Sequence, residues 1–450
     1  MVRFLGTQAV GGGQVPGFVP PPIPTFPAAV LARAQRIIST AGTITPIDQV
    51  AAIPITVTPG ASAGNSLLDP SITFGSDGKY NVQDATRFEQ IAGLLAISSG
   101  NTRTGQGRIS NVTTGTRGST FGNGVRFRYA GKRFEFFSSG SGKAIVYLTN
   151  PATGVRERGR SLDFTTGTNV FVMVDLGSYA DRIIEVAQSG SNVWRGFVPE
   201  SGYDFTLPPA RPSKPSIVLI GDSWYAGTLS APSGQSIADT GVKIGVGSML
   251  GAYLGDENAW ISSTGGTGHL FGSPAFRGTS GATAGGYRDR VNPTVAAVGD
   301  IDVSLVGARD AIIIRNSLND NEQSGNTNKP TDAEEREETR LATQAAMAKQ
   351  PNALIIGMGP QRAYNGTTGT NPTQARYDAC RDGFLAAIGS DPRCVWVDIS
   401  PAGYAVYADT AANAQYIGQD GVHPTDAGMR FYAQREANAI IGTLKAKYGL

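Results

Sequence analysis

Two hydrophobic periodicities divide the chain. Between about residues 106 and 211, apolar and polar positions alternate. Val125-Arg126-Phe127-Arg128-Tyr129 and Arg133-Phe134-Glu135-Phe136 put every second side chain on one face, as half-buried strands do. Residues 144–148 and 169–174 read as further strands, with Gly- or Asn-rich turns between them. Short strands at this spacing predict an antiparallel β-sandwich over 106–211. After Leu207-Pro208-Pro209-Ala210-Arg211-Pro212, which reads as a stiff linker, the pattern changes. Continuous apolar runs appear at 216–220, Ala311–Arg315, 353–357 and 395–398. Helical spacing lies between or after them, at Asp332–Lys349, Gln374–Ile388 and about 426–447, with Thr425 as N-cap of the last. Such strands, apolar on both faces and separated by helices, predict an α/β domain with a parallel, doubly wound sheet over 212–450.

The first hundred residues carry weaker patterns. Gly11-Gly12-Gly13 and Pro20-Pro21-Pro22 favour extended backbone. Residues 1–45 therefore read as a Gly/Pro-rich arm, an assembly anchor, with a short helical pattern from Ala28 to Ala34. Residues 46–105 are mixed: a strand at 54–58, then helical spacing at 84–95 behind Asp84 as a capping residue. A length of 450 residues fits two or three domains.

Composition narrows the chemistry. Lys and Arg number 38 against 36 Asp and Glu, a net charge of +2, and no basic run stands out. Nucleic acid and anionic membrane surfaces are not expected partners. The 59 glycines and sparse charge suit a neutral partner such as a carbohydrate. The two cysteines, Cys380 and Cys394, read as buried free thiols. No metal-ligand cluster and no cofactor motif is visible, since the two histidines lie far apart. No apolar run is long enough for a signal-peptide core or a membrane span.

Candidate chemistry gathers at strand ends. Ile217-Val218-Leu219-Ile220 runs into Gly221-Asp222-Ser223-Trp224. Taken alone, Asp222-Ser223 serves equally well as a helix cap. Asp420-Gly421-Val422-His423-Pro424 supplies a base and an acid to orient it. With only two histidines, His423 is the candidate base. His269 has no nearby Asp and reads as a loop or substrate-side residue, while Trp224, Tyr225 and Tyr287 suit a sugar site and the core equally well. Asn319-Asp320 follows another strand, where an Asn amide can donate to an oxyanion or an Asx turn can end the strand. Gly265-Gly266-Thr267-Gly268 follows Ala259-Trp260-Ile261-Ser262 and can expose a backbone N–H to the same oxyanion.

Together these four segments resemble the blocks of the SGNH hydrolases, or GDSL-type esterases. They are Ser223 in Gly-Asp-Ser-Trp, Gly266 in Gly-Gly-Thr-Gly, Asn319 in Asn-Ser-Leu-Asn-Asp and His423 in Asp-Gly-Val-His. Trp224 stands where the usual motif has Leu. The resemblance implies a three-layer α/β/α domain and ester hydrolysis. Ser223 would be the nucleophile, His423 the general base, and Asp420 its orienting group. The N–H groups of Ser223 and Gly266 and the Asn319 amide would hold the oxyanion.

A β-sandwich ahead of such a domain resembles two-domain carbohydrate O-acetyl esterases and bacteriophage tail esterases. The resemblance implies acetylated polysaccharide as substrate. A phage particle reconciles an extracellular substrate with no export signal, so the expected location is the virion, with the extracellular space or cell surface as the alternative. The arm would attach the chain, as a homo-oligomer, to the particle. Two other readings stay open: an adhesive virion protein that binds glycan without turnover, and a lipase or thioesterase of the same fold.

Overall fold

The computed structural model describes residues 26–43, 56–59, 65–72, 84, 86–91, 103–104, 123–139, 142–152, 156–164, 170–190, 193–209, 214–226, 245–256, 259–263, 268–270, 286–291, 308–320, 330–362, 372–404, 406, 415–418 and 421–450.

Among the described residues ten strands build the sandwich: β1 (Thr56–Pro59), β2 (Glu89–Ile91), β3 (Arg103–Thr104), β4 (Asn123–Tyr129), β5 (Arg133–Ser139), β6 (Gly142–Thr149), β7 (Arg156–Phe164), β8 (Val170–Asp175), β9 (Arg182–Gly190) and β10 (Val193–Pro199). They form two antiparallel sheets, ordered β1-β8-β5-β10-β3 and β2-β4-β9-β6-β7. The inward face of the alternation is aromatic: Phe88, Phe127, Phe134, Phe136, Phe197 and Phe205 share one buried cluster. Buried Glu135 has a structural task, accepting from the Leu67 N–H at 3.1 Å and from the Ser66 hydroxyl, which pins residues 65–72 to β5.

The described strands of 46–105 belong to the sandwich, since β1, β2 and β3 pair with β8, β4 and β10. The helix expected from Asp84 is a tight turn leading into β2. Asp84 does cap, accepting from the Thr86 N–H at 2.9 Å, but Phe88 is drawn into the aromatic core and Glu89–Ile91 pair with β4. Residues 92–95 of that expectation lie outside the described residues.

The second domain holds β11 (Ile217–Gly221), α2 (Ser223–Ala226), α3 (Val246–Tyr253), β12 (Trp260–Ser263), α4 (Tyr287–Val291), β13 (Ala311–Arg315), α5 (Asp332–Lys349), β14 (Leu354–Met358), α6 (Gln374–Ile388), β15 (Cys394–Val397) and α7 (Asp426–Tyr448). Its five parallel strands run in the order β12-β11-β13-β14-β15. Both faces are covered, which explains the unbroken apolar runs. Ile217, Leu219 and Ile313 pack in the cluster that contains α7, while Val218, Ile220 and Ile312 pack in the one that contains Ala342 and Ala346 of α5. Thr331, Thr373 and Thr425 cap α5, α6 and α7 through their side chains, and Glu334 completes a capping box on the first. Cys380 and Cys394 are free and buried. Among the described residues no helix is long and apolar enough to cross a membrane.

The segment 1–45 is not wholly an extended arm. Residues 28–40 form helix α1 (Ala28–Thr40), and Val30, Ala34 and Ile37 are buried in the same cluster as Ile440 and Leu444 of α7. The guanidinium of Arg36 meets Asp310 at 2.8 Å, and Asp310 also accepts from the Ser216 N–H at 2.9 Å, at the mouth of β11. An amphipathic stripe with a ready apolar partner overrides the extended bias of the residues before it. Residues 1–25 lie outside the described residues. If α1 belongs to this domain, Ile37→Ala lowers its unfolding free energy by about 2–5 kcal/mol. Chemical denaturation of the full chain measures it, and an unchanged midpoint for this domain would show that α1 is not part of its core.

Candidate active site

The order of the strands places the site. The chain passes from β11 outward to β12 and then back across β11 to β13, so neighbouring connections diverge between β11 and β13. Ligands of open parallel sheets bind outside the carboxyl ends of strands at such a switch point. Ser223 opens α2 directly after β11, and Asn319 lies on a single 3₁₀ turn, Leu318–Asp320, after β13.

Asp222 does cap this turn, accepting from the Trp224 N–H at 3.0 Å, and that leaves the Ser223 hydroxyl free for another partner. The partner is His423, whose Nε2 lies 2.9 Å from Ser223 Oγ. With the ring proton on Nδ1, Nε2 accepts from the hydroxyl, as a general base must. His423 stands on a loop held at both ends. Its carbonyl accepts from the Gly418 N–H at 2.8 Å, and Thr425 donates from its N–H to the Tyr416 carbonyl while its side chain caps α7. Gly221 is required on steric grounds, for its φ is not left-handed, but a Cβ there would strike the ring of Tyr225.

The loops beside Ser223 are held by carboxylates. Ser317, two residues before Asn319, donates to Asp222 Oδ2 at 2.5 Å, which ties the loop after β13 to the nucleophile turn. Buried Asp320 accepts from the N–H groups of His269 at 2.6 Å and Leu270 at 3.1 Å. This clamps the end of the glycine-rich segment onto the Asn319 turn, and a Cβ on Gly268 would collide with the Asp320 carboxylate. Behind it lies Glu335 of α5, wholly buried, with Cys380 Sγ at 3.5 Å from Oε1 and Arg376 Nη1 at 3.6 Å from Oε2. Burial, reinforced by Asp320, pushes the Glu335 carboxyl well above its ordinary value.

Two expected substrate-side residues do not reach the surface. Trp224 is 0% exposed, packed on Tyr432 of α7, and His269 is 1% exposed, against Tyr287. Both belong to the packing beneath the site, because the first turn of α2 directs Trp224 inward and Asp320 draws the backbone of His269 down. Tyr225 and Tyr287 are core residues too. Asp420 and Gly265, Gly266 and Thr267 lie outside the described residues.

No protein-family model matches the sequence, and no curated protein does. Solved structures are similar in fold. A family two carbohydrate esterase from Clostridium thermocellum in complex with cellohexaose superposes with a TM-score of 0.56 at 14% identity, covering 80% of this chain and 99% of that one. A carbohydrate esterase family 2 enzyme plus carbohydrate binding domain from Corynascus thermopiles gives 0.56 at 15%, over 81% and 100%. A salicylyl-acyltransferase from a tetracycline biosynthetic pathway gives 0.53 at 11%, over 79% and 94%. The chain has the fold of the two-domain carbohydrate esterases. Its α/β/α domain is similar in fold to the catalytic part of those enzymes.

Sequence reasoning missed the polar residues under the site. Arg315 ends β13 and is 0% exposed, with Nη2 at 2.8 Å from Asp222 and Nη1 at 3.1 Å from Glu436 of α7. Gln361, just after β14, also donates to Asp222. An arginine closing an apolar run was the available signal.

Glu335 gives the domain a pH signature. Held neutral, it keeps in the folded state a proton that the unfolded chain releases above the ordinary value of 4.5. Its contribution to stability therefore falls as pH rises above 4.5. Glu335→Gln fixes the neutral form. Its melting temperature should vary less than that of the wild type between about pH 5 and 8, and lie above it at the upper end. Parallel melting curves across that range would show that Glu335 is ionised in the fold.

Proposed function

We propose that this chain is a serine esterase that removes O-acetyl groups from polysaccharide. The observation that carries the reading is the 2.9 Å contact between Ser223 Oγ and His423 Nε2 at the switch point of the sheet. Ser223 Oγ attacks the acyl carbon as His423 takes its proton. His423 then returns the proton to the departing sugar oxygen, leaving an acetyl-enzyme. Water, deprotonated by the same imidazole, attacks that ester, and acetate leaves as Ser223 recovers its proton. Asp420 orients His423 in this scheme. The Asn319 amide and the N–H groups of Ser223 and Gly266 hold the oxyanion, and one such donor is worth about 2.7–4 kcal/mol.

The choice of substrate is supported by the similarity in fold to esterases of carbohydrates and by a weakly charged, glycine-rich chain, which suits a neutral polymer. Ser223→Ala should lower release of acetate from acetylated polysaccharide and from a small aryl acetate by about 10⁴-fold or more. Equal rates in variant and wild type would remove Ser223 from the mechanism. A series of aryl esters of increasing acyl length separates the readings: preference for acetyl supports the deacetylase and preference for long chains the lipase. Binding of glycan with no turnover of any ester supports an adhesin.

The location is proposed on sequence grounds. A Gly/Pro-rich stretch ahead of the docked helix α1 suits attachment, as a homo-oligomer, to a phage tail that meets glycan on the host surface. Antibody raised against the purified chain should label intact particles at the tail. Particles without the chain, with the enzyme found free outside cells, would assign it to secretion instead.

A further inference from the structure

Arg315 breaks the pattern of its strand. Ala311 and Ile313, which precede it on the same face of β13, lie in the apolar cluster under α7. The next position in that alternation is a fully buried guanidinium. It lies 3.9 Å from the centroid of the Tyr225 ring and 5.6 Å from that of Trp224, so the two residues that follow Ser223 wall it in. Burial works against its charge, but Asp222 and Glu436 outweigh that effect and hold its pKa above the usual arginine value.

The partners on each side are the supports of the two reacting residues. Asp222 adjoins Ser223. Its Oδ1 accepts from the Trp224 N–H and from Arg315, and its Oδ2 accepts from the Ser317 hydroxyl and from Gln361. Glu436 stands on α7, the helix that starts just after His423. Its Oε1 accepts from Arg315, and its Oε2 accepts from the Tyr225 hydroxyl at 2.8 Å. One planar fork therefore spans from the turn that carries the nucleophile to the helix that anchors the loop of the base. A lysine ammonium, a single point charge, has no such two-ended geometry.

We propose that Arg315 is the positioning residue of the nucleophile, locking Asp222, and with it the turn that presents Ser223, to the helix that follows His423. The proposal rests on the esterase reading above. Arg315 touches no substrate, and its effect reaches the reaction through the place of Ser223 Oγ relative to His423. A displacement of about 1 Å at such a contact lowers turnover by on the order of 100-fold. Binding of substrate, which Arg315 does not touch, stays as it is.

The test uses the full chain with two variants. Arg315→Lys keeps the charge and loses the fork. Arg315→Met combined with Glu436→Gln removes the arginine without leaving a second unpaired charge, and Gln keeps an acceptor for Tyr225. Each is assayed for melting temperature, for kcat and KM on an aryl acetate, and for the rate of inactivation by a serine-directed fluorophosphonate. The expected result is a folded protein in which kcat and the inactivation rate fall together, by about 100-fold in the double variant, with KM unchanged and Arg315→Lys in between. Folded variants that react and turn over as the wild type does would overturn the role. So would a lowered melting temperature with normal kcat, or two variants that do not fold, since either outcome assigns Arg315 to stability alone. A wild-type chain inert to both ester and fluorophosphonate would remove the esterase reading itself, whereas an active wild type with active variants removes only the role of Arg315.

Discussion

One buried carboxylate organises the hydrolase-like domain. Asp222 is 0% exposed, and a carboxyl group so placed loses its hydrogen bonds to water. The loss is offset only if donors converge on it with good geometry. They come from the Trp224 N–H, Arg315, Ser317 and Gln361, contributed by α2, the end of β13, the turn after it and the loop after β14. Three adjacent strands must therefore end at matched heights, and the parallel registers of β11, β13 and β14 deliver that. The serine next to this aspartate takes its position from the same convergence. What reads as a simple cap in the sequence is the node on which the site is built.

Much of this was legible in the chain. The order of Ser223, Asn319 and His423 and the runs that became β11, β13, β14 and β15 follow from local pattern. Helix α7 announces itself through Thr425, because a cap is a local interaction, and α5 and α6 through their helical spacing. The misreadings share a cause, which is contact with residues distant in sequence. Asp84 begins a turn or a helix with equal ease, and only the pull of the aromatic core on Phe88 decides. Trp224 beside Ser223 suits a sugar site and the core equally well until Tyr432 and Arg315 are seen to occupy its faces. Arg315 itself looks like the polar end of a strand, and nothing local shows that two acids wait for it inside the protein.

The two acidic systems beneath the site differ in kind. Asp222 and Glu436 share a cation, and their polar atoms are tied to named donors. Asp320 and Glu335 stand close together, with Arg376 3.6 Å from Glu335, and one answer to like charges in a dry place is for one acid to stay protonated. The first system supports the turn that carries Ser223, and the second supports the backbone at His269 and Leu270. In the first system one guanidinium bridges both acids, while in the second burial outweighs the pull of Arg376 on Glu335.

The docking of α1 on α7 has a consequence for how the protein is made. The sandwich strands lie in sequence between α1 and β11, so the second domain is closed by two segments from near opposite ends of the chain. During synthesis the sandwich emerges whole and can fold as a unit. Helix α1 emerges before it, yet Ile440 and Leu444, which share the buried cluster of Val30, Ala34 and Ile37, are made only after the strands of both domains. Contacts of such long sequence separation form late. The clasp between α1 and α7 therefore waits on the synthesis of everything that separates them, the whole sandwich included.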